Sequence, residues 1–210
     1  GTGPAIILQG AGYSLDLQAG STVNGVVDAS GSTGLNTVTL AGDLNGGYTG
    51  GSGADNVTLF GGMTVSGQIT GGSGVDALIL GGMSAGSLDF GQTLGFESRT
   101  LTGGGIWTLS GADSDAADWT LDSGTLRLTG IQSINRGAGV LVNAGATLSV
   151  GDTNAMGALN GTGAVTIDSG QILIAGFNDA DSVFSGVISG AGSLSQSGAG
   201  VMTLSGTNTF

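Results

Sequence analysis

GGSGADNVTLFGGM at residues 50–63 and GGSGVDALILGGM at 71–83 are two copies of one unit. Their opening Gly pairs lie 71 − 50 = 21 residues apart; Asp55 and Asp76 keep that offset, and Met63 and Met83 are 20 apart. A weaker copy precedes them, GLNTVTLAG at 34–42 matching GADNVTLFG at 53–61 with an offset of 19. Inside each copy the apolar residues alternate. Val38 and Leu40, Val57 and Leu59, Leu78 and Leu80 fall on one side of an extended chain, with Thr39, Thr58 and Ile79 on the other.

Further along, a second pattern repeats. WTLDSGTLRL (119–128), LVNAGATLSV (141–150) and TIDSGQILI (166–174) each read as strand, turn and strand, with turns ending at Gly124, Gly145 and Gly170. Asp122, Asn143 and Asp168 sit two residues before those glycines, where their side chains bond nearby backbone, and Gly takes a positive φ at no steric cost. SLDLQAGSTV at 14–23 reads the same way. No stretch of helical length has helical periodicity; Ala112–Asp118 comes nearest and is too short.

Period two inside a unit of about 20 residues predicts an all-β solenoid, a parallel β-helix of about ten coils of roughly 21 residues. One coil cannot bury its own inward face, whereas stacked coils can, at ~4.8 Å per step. The competing fold is a β-sandwich with evenly spaced strands; repeats at near-constant offset favour the coil. Composition agrees. The chain has 210 residues, 46 of them Gly and 1 Pro, which excludes collagen; it is 39% hydrophobic and only 9% charged, which excludes ordinary disorder.

The charge inventory removes whole function classes. There is no Cys, no His and no Lys; 3 Arg face 15 acidic residues, for a net charge of -12. The usual zinc sites, built on Cys and His, are excluded, as are thiol nucleophiles and Ser-His-Asp arrangements, and three cations do not neutralise a run of phosphates, so nucleic acid is not an expected partner.

The C-terminal GAGSLSQSGAGVMTLSGTNTF at 190–210 resembles the passenger-associated transport repeat of Gram-negative autotransporters. Gly190, Gly192, Leu194, Gly198, Gly200, Leu204, Gly206, Asn208 and Phe210 occupy the matching positions, with Gln196 where the family usually has Lys. GFESRTLTGGGIWTLSG at 95–111 resembles the same repeat class through Phe96-Glu97 and Trp107-Thr108-Leu109. On this reading 1–210 is a single β-helical passenger fragment, with GGSGxD-type coils over 1–90 and autotransporter-type coils over 91–210. The resemblance implies a right-handed β-helix, exported by a C-terminal β-barrel translocator to the surface of a Gram-negative cell or beyond. It implies a non-enzymatic adhesin, stalk or virulence module that meets a protein or glycan on a host or neighbouring cell. Two other readings are a self-associating structural solenoid and a secreted polysaccharide-acting enzyme.

Candidate sites are few. GGSGADNVT (50–58) and GGSGVDALI (71–79) fit the Gly-Gly-x-Gly-x-Asp-x-apolar-x nonapeptide of calcium-binding β-rolls, which makes Asp55 and Asp76 candidate calcium ligands. Such nonapeptides run in tandem, whereas these copies are 21 apart, so two solvated corner carboxylates are the plainer expectation. Asp113, Asp115 and Asp118, and likewise Asn178-Asp179-Ala180-Asp181, read as solvated loops. Arg99, Arg127 and Arg136 are the only bases an enzyme would have, and nothing in the sequence places them on a common face with those acids. Trp107 and Trp119 sit at alternating positions that favour the core over a sugar-stacking surface. No catalytic residue and no cofactor is assigned.

Overall fold

The computed structural model describes residues 3–210. Among them every named strand pairing is parallel, and the one helical element is a single 3-10 turn at Phe90–Gln92. The chain winds into a β-solenoid of about nine turns of ~21 residues, as the alternation and repeat offsets predict. One side carries a continuous ten-stranded sheet running from Ser14–Leu17 to Met202–Leu204. Its register fixes the length of each coil. The step from Leu40 to Leu59 is 19 residues, and those from Leu17 to Leu40 and from Gly161 to Phe184 are 23.

The other two sides change along the rod. Near the N-terminus they are a five-stranded sheet ending at Thr93–Leu94 and a short pair, Thr22–Asn24 with Asp43–Asn45. From Gly86–Asp89 onward a six-stranded sheet takes over the second side, and the third is sheet again only from Asn154–Ala155. Between Thr93–Leu94 and Asn154 that third side is built by the loops around 111–117 and 129–139.

The core follows from alternation plus register. Leu17, Leu40, Leu59, Leu80, Leu101, Leu121 and Val142 form one inward column, each opposite its equivalent in the next coil and each buried. Where Gly161 interrupts this column, a larger residue, buried Phe184, stands opposite it in the next coil. The adjacent column runs Val38, Val57, Leu78, Arg99, Trp119, Val140. Trp107 and Trp119 are buried, as their positions predict.

The turn glycines behave as expected: Gly124, Gly145 and Gly170 have φ of 82°, 91° and 77°. The three strand–turn–strand copies are not all one corner, however. The first two join the ten-stranded to the six-stranded sheet, whereas TIDSGQILI joins the six-stranded sheet to the third side. Its offset of 25 therefore spans a move to the next corner rather than a longer coil. Gly50 is required for another reason: a Cβ there would strike the carbonyl oxygen of Gly71, one coil away.

Two stability measurements test this architecture. Leu59→Ala should lower the unfolding free energy by about 2–5 kcal/mol, because neighbouring coils hold the cavity open. Gly50→Ala should lower the melting temperature clearly, whereas the same change at Gly62, where a Cβ meets nothing, should bring only the strain of its φ of 98°.

Candidate functional site

The repeat that decides the fold also builds a polar column inside it. Asp55 and Asp76 are completely buried, which corrects the expectation of solvated corner carboxylates. Asp55 opens the strand Asp55–Phe60, in which every second residue is buried. Period two therefore turns its carboxylate inward with them.

Several side chains along this column accept N–H groups in place of a strand carbonyl, although Asp55 does not: the Asn36 N–H opposite it keeps a backbone acceptor, the Ala54 carbonyl at 2.9 Å. The Tyr13 N–H donates to Asn36 Oδ1 (3.1 Å), Asp55 N–H to Asp76 Oδ1 (2.7 Å), and Asp76 N–H to Glu97 Oε2 (2.6 Å). The Asp55 carboxylate is fully engaged: Oδ1 accepts from Asn36 Nδ2 (2.5 Å) and the Tyr48 hydroxyl (2.7 Å), and Oδ2 from Gly51 N–H (2.9 Å). Burial first, then the adjacent Asp55, pushes the Tyr48 hydroxyl far above its ordinary range. Asp76 differs: its Oδ2 is buried without a hydrogen-bond partner. Burial is the main cause that raises its carboxyl above the usual range, and the charges of Asp55 and Glu97 add to it.

This donor set does not suit calcium, which needs six to eight oxygen ligands. Asp55 is ringed by an amide, a hydroxyl and a backbone N–H, all pointing hydrogens at it. Among the described residues no three acidic side chains converge as a metal cluster.

Arg99 is the second feature. SRTL at 98–101 pairs with ALIL at 77–80, which puts Arg99 in the slot of Leu78 and buries it. The loop replacing a strand on the third side supplies its partners. Arg99 Nη1 lies 2.6 Å from Asp113 Oδ2, and Nη2 lies 3.2 Å from Asp115 Oδ2. The guanidinium also lies over the Phe90 ring, 4.8 Å from its centroid, and Phe90 packs on Trp119 at 5.4 Å. Asp113 is thus buried rather than solvated, Asp115 is partly covered, and only Asp118 is exposed as the sequence suggested. Burial pushes the Asp113 carboxyl up and the Arg99 guanidinium down, each against the attraction of the other. The period-two signal in Ser98-Arg99-Thr100-Leu101 could have shown that Arg99 faces inward.

Above this pair lies an open depression of about 440 Å³ lined by Gly95, Phe96, Glu97 and Ser114–Ala117. Its carboxylates serve the chain itself: Glu97 accepts from Asp76 N–H, and Asp115 Oδ2 from Gly95 N–H (2.9 Å). Arg127 sits elsewhere, on the six-stranded sheet, paired with Asp168 (2.7 Å) and Ser149 (2.8 Å). The Asn178–Asp181 loop is exposed, as expected. Comparison with family models, with curated proteins and with solved structures gives no match for this chain.

The raised Asp76 carboxyl has a defined pH consequence. The folded chain holds a proton there that the unfolded chain has released, so this group's contribution favours folding at low pH and declines as pH rises through the raised value. Asp76→Asn should raise the melting temperature near neutral pH and reduce the gain in stability on acidification from neutral pH toward the ordinary carboxylate range. Asn36, two column positions earlier, already holds an amide. An unchanged pH profile in the variant would assign the pH dependence to other groups. For Arg99→Ala, leaving Asp113 buried without its partner should cost about 3–5 kcal/mol. Faster amide exchange over 111–117 should accompany it.

Proposed function

We propose that the chain is a passenger segment of a Gram-negative autotransporter, displayed at the cell surface or released, and acting without catalysis as a stalk or adhesin. Its partner on this reading is a protein or glycan on a host or neighbouring cell. The observation that carries the proposal is the way residues 190–210 close a coil. Ser193–Gln196 and Met202–Leu204 add to two faces of the rod, Gly190 and Gly198 take positive φ at its corners, and Asn208 Oδ1 accepts the Ile188 N–H of the preceding coil at 2.9 Å. Gly190, Gly198 and Asn208 of the transport-repeat motif thus serve the corner and the ladder, Leu194 is partly buried against the core, and Gln196, the departure from the motif, is exposed.

The non-enzymatic part of the proposal rests on how the acids are used. Asp55 and Asp115 accept from backbone and side-chain donors of their own chain, and Glu97 from a neighbouring backbone N–H. That arrangement favours a framework over a pair of working acids. A rod also suits contact through its sides, because its loops vary without disturbing the ladder.

The test is to place the chain between a secretion signal and an outer-membrane translocator barrel. A folded rod reachable by protease on intact cells, with saturable retention on host or neighbouring cells, is the expected result. Display without any retention would remove the adhesin role and leave a stalk. Failure of the chain to be displayed would overturn the passenger reading, and cleavage of acidic polysaccharides would overturn the non-enzymatic one.

A further inference from the structure

Of the three guanidinium groups, Arg99 and Arg127 are paired with carboxylates. Arg136 has no carboxylate partner among the described residues, in a chain with 15 acidic side chains. It is exposed but held. The Gln132 carbonyl oxygen, in the amide orientation that satisfies both groups, accepts from Arg136 Nη2 at 2.7 Å and from Nε at 3.1 Å. The face of the guanidinium lies on the Phe177 ring, 5.1 Å from its centroid.

The supports are themselves fixed. Ile134 and Ser133 bury the middle of the Arg136 loop, and Asn135 ties it to Asp113 through two contacts of 3.3 Å. The Gln132 backbone carbonyl, distinct from the side-chain oxygen that holds Arg136, accepts from Asp113 N–H at 3.0 Å. On the other loop, Asp179 Oδ1 accepts from Ala199 N–H at 2.8 Å. Gln132 and Asp179 are the two non-Gly residues with positive φ among the described residues, at 61° and 58°, one in each loop. Strained backbone of this kind persists where surrounding contacts over-determine it. Between the loops passes Gly157, where a Cβ would come within 2.6 Å of Asn178 Nδ2.

Gln132 uses one edge of the guanidinium. The end formed by Nη1 and the second Nη2 hydrogen remains open, and that fork matches the two oxygens of a carboxylate. In the same loop Ile131, the residue before Gln132, is 74% exposed, an apolar side chain on the loop that carries the held cation. Arg and aromatic residues set in a rigid frame are the usual anchors of protein interfaces. Asp179 and Asp181 in the facing loop and the net charge of -12 repel a polyanion but tolerate one carboxylate.

We propose that Arg136, oriented by Gln132 and Phe177, is a docking anchor for a single Asp or Glu side chain of a protein partner whose neighbouring apolar side chain rests on Ile131. The anchor deepens the contact role suggested above but is tested without it.

The experiment uses 15N-labelled protein, whose three Arg Nε–H signals are assigned through Arg→Gln variants. N-acetyl-Leu-Glu-amide, glucuronate and inorganic phosphate are titrated separately. The peptide should shift the Arg136 signal saturably and leave those of Arg99 and Arg127 in place. Arg136→Lys should abolish saturation, and Ile131→Ser should weaken peptide binding by about fivefold. No saturable shift with the peptide would overturn the proposal. So would glucuronate or phosphate binding as tightly as the peptide, the first in favour of an acidic sugar and the second of a general anion site.

Discussion

The parallel hydrogen-bond ladder between coils is the constraint on which everything else here depends. Once Leu40 stands opposite Leu59 and Leu59 opposite Leu80, each side chain inherits the surroundings of its equivalent one coil away. A leucine column is then self-consistent. A departure must be answered by the coil above or below, as the larger Phe184 stands opposite Gly161. The ladder also fixes how closely backbones approach, which is why Gly50 leaves no room for a Cβ.

The same constraint explains the polar column. A strand preceded by Asp and stacked on a second Asp-led strand places the carboxylates one above the other inside the rod. Asp76, and Glu97 in the next coil, then each take a hydrogen bond that a strand carbonyl would otherwise have accepted, while Asp55 gathers Asn36, Tyr48 and Gly51. This stabilises the start of each strand at the cost of buried negative charge, borne mostly by Asp76, whose second oxygen has no donor. Arg99 reaches its position by the same route. The ladder turns it inward, and the loop that interrupts the third side brings Asp113 and Asp115 to meet it. Replacing a strand with a loop there both neutralises the guanidinium and opens the surface from which the neighbouring loops project.

The long elements were legible because their signals are local. Alternation in Val57-Thr58-Leu59 or Leu78-Ile79-Leu80, with Gly at positive-φ corners, needs no distant information. The sites were legible only in part. Asp55 and Asp76 are conspicuous in the repeat, but a solvated turn and a buried strand start give the same local pattern. The inward direction of Arg99 was readable from alternation; its partners were not, since Asp113 lies 14 residues on in an irregular loop. Arg136 and Phe177 are further apart still, in loops two coils apart, and Gly157 in the coil between them leaves room for the Asn178 side chain next to Phe177.

The sequence by itself determined the architecture: parallel coils of about 21 residues, an inward apolar set and glycine corners, all set by period and steric freedom. Only the tertiary structure decided which corner each turn occupies, which carboxylates are dry, and which of three arginines is left without an acid. Those outcomes depend on the distance between residues in different coils, and in a solenoid that distance is set by the accumulated coil lengths, which vary between 19 and 23 residues along the ten-stranded sheet.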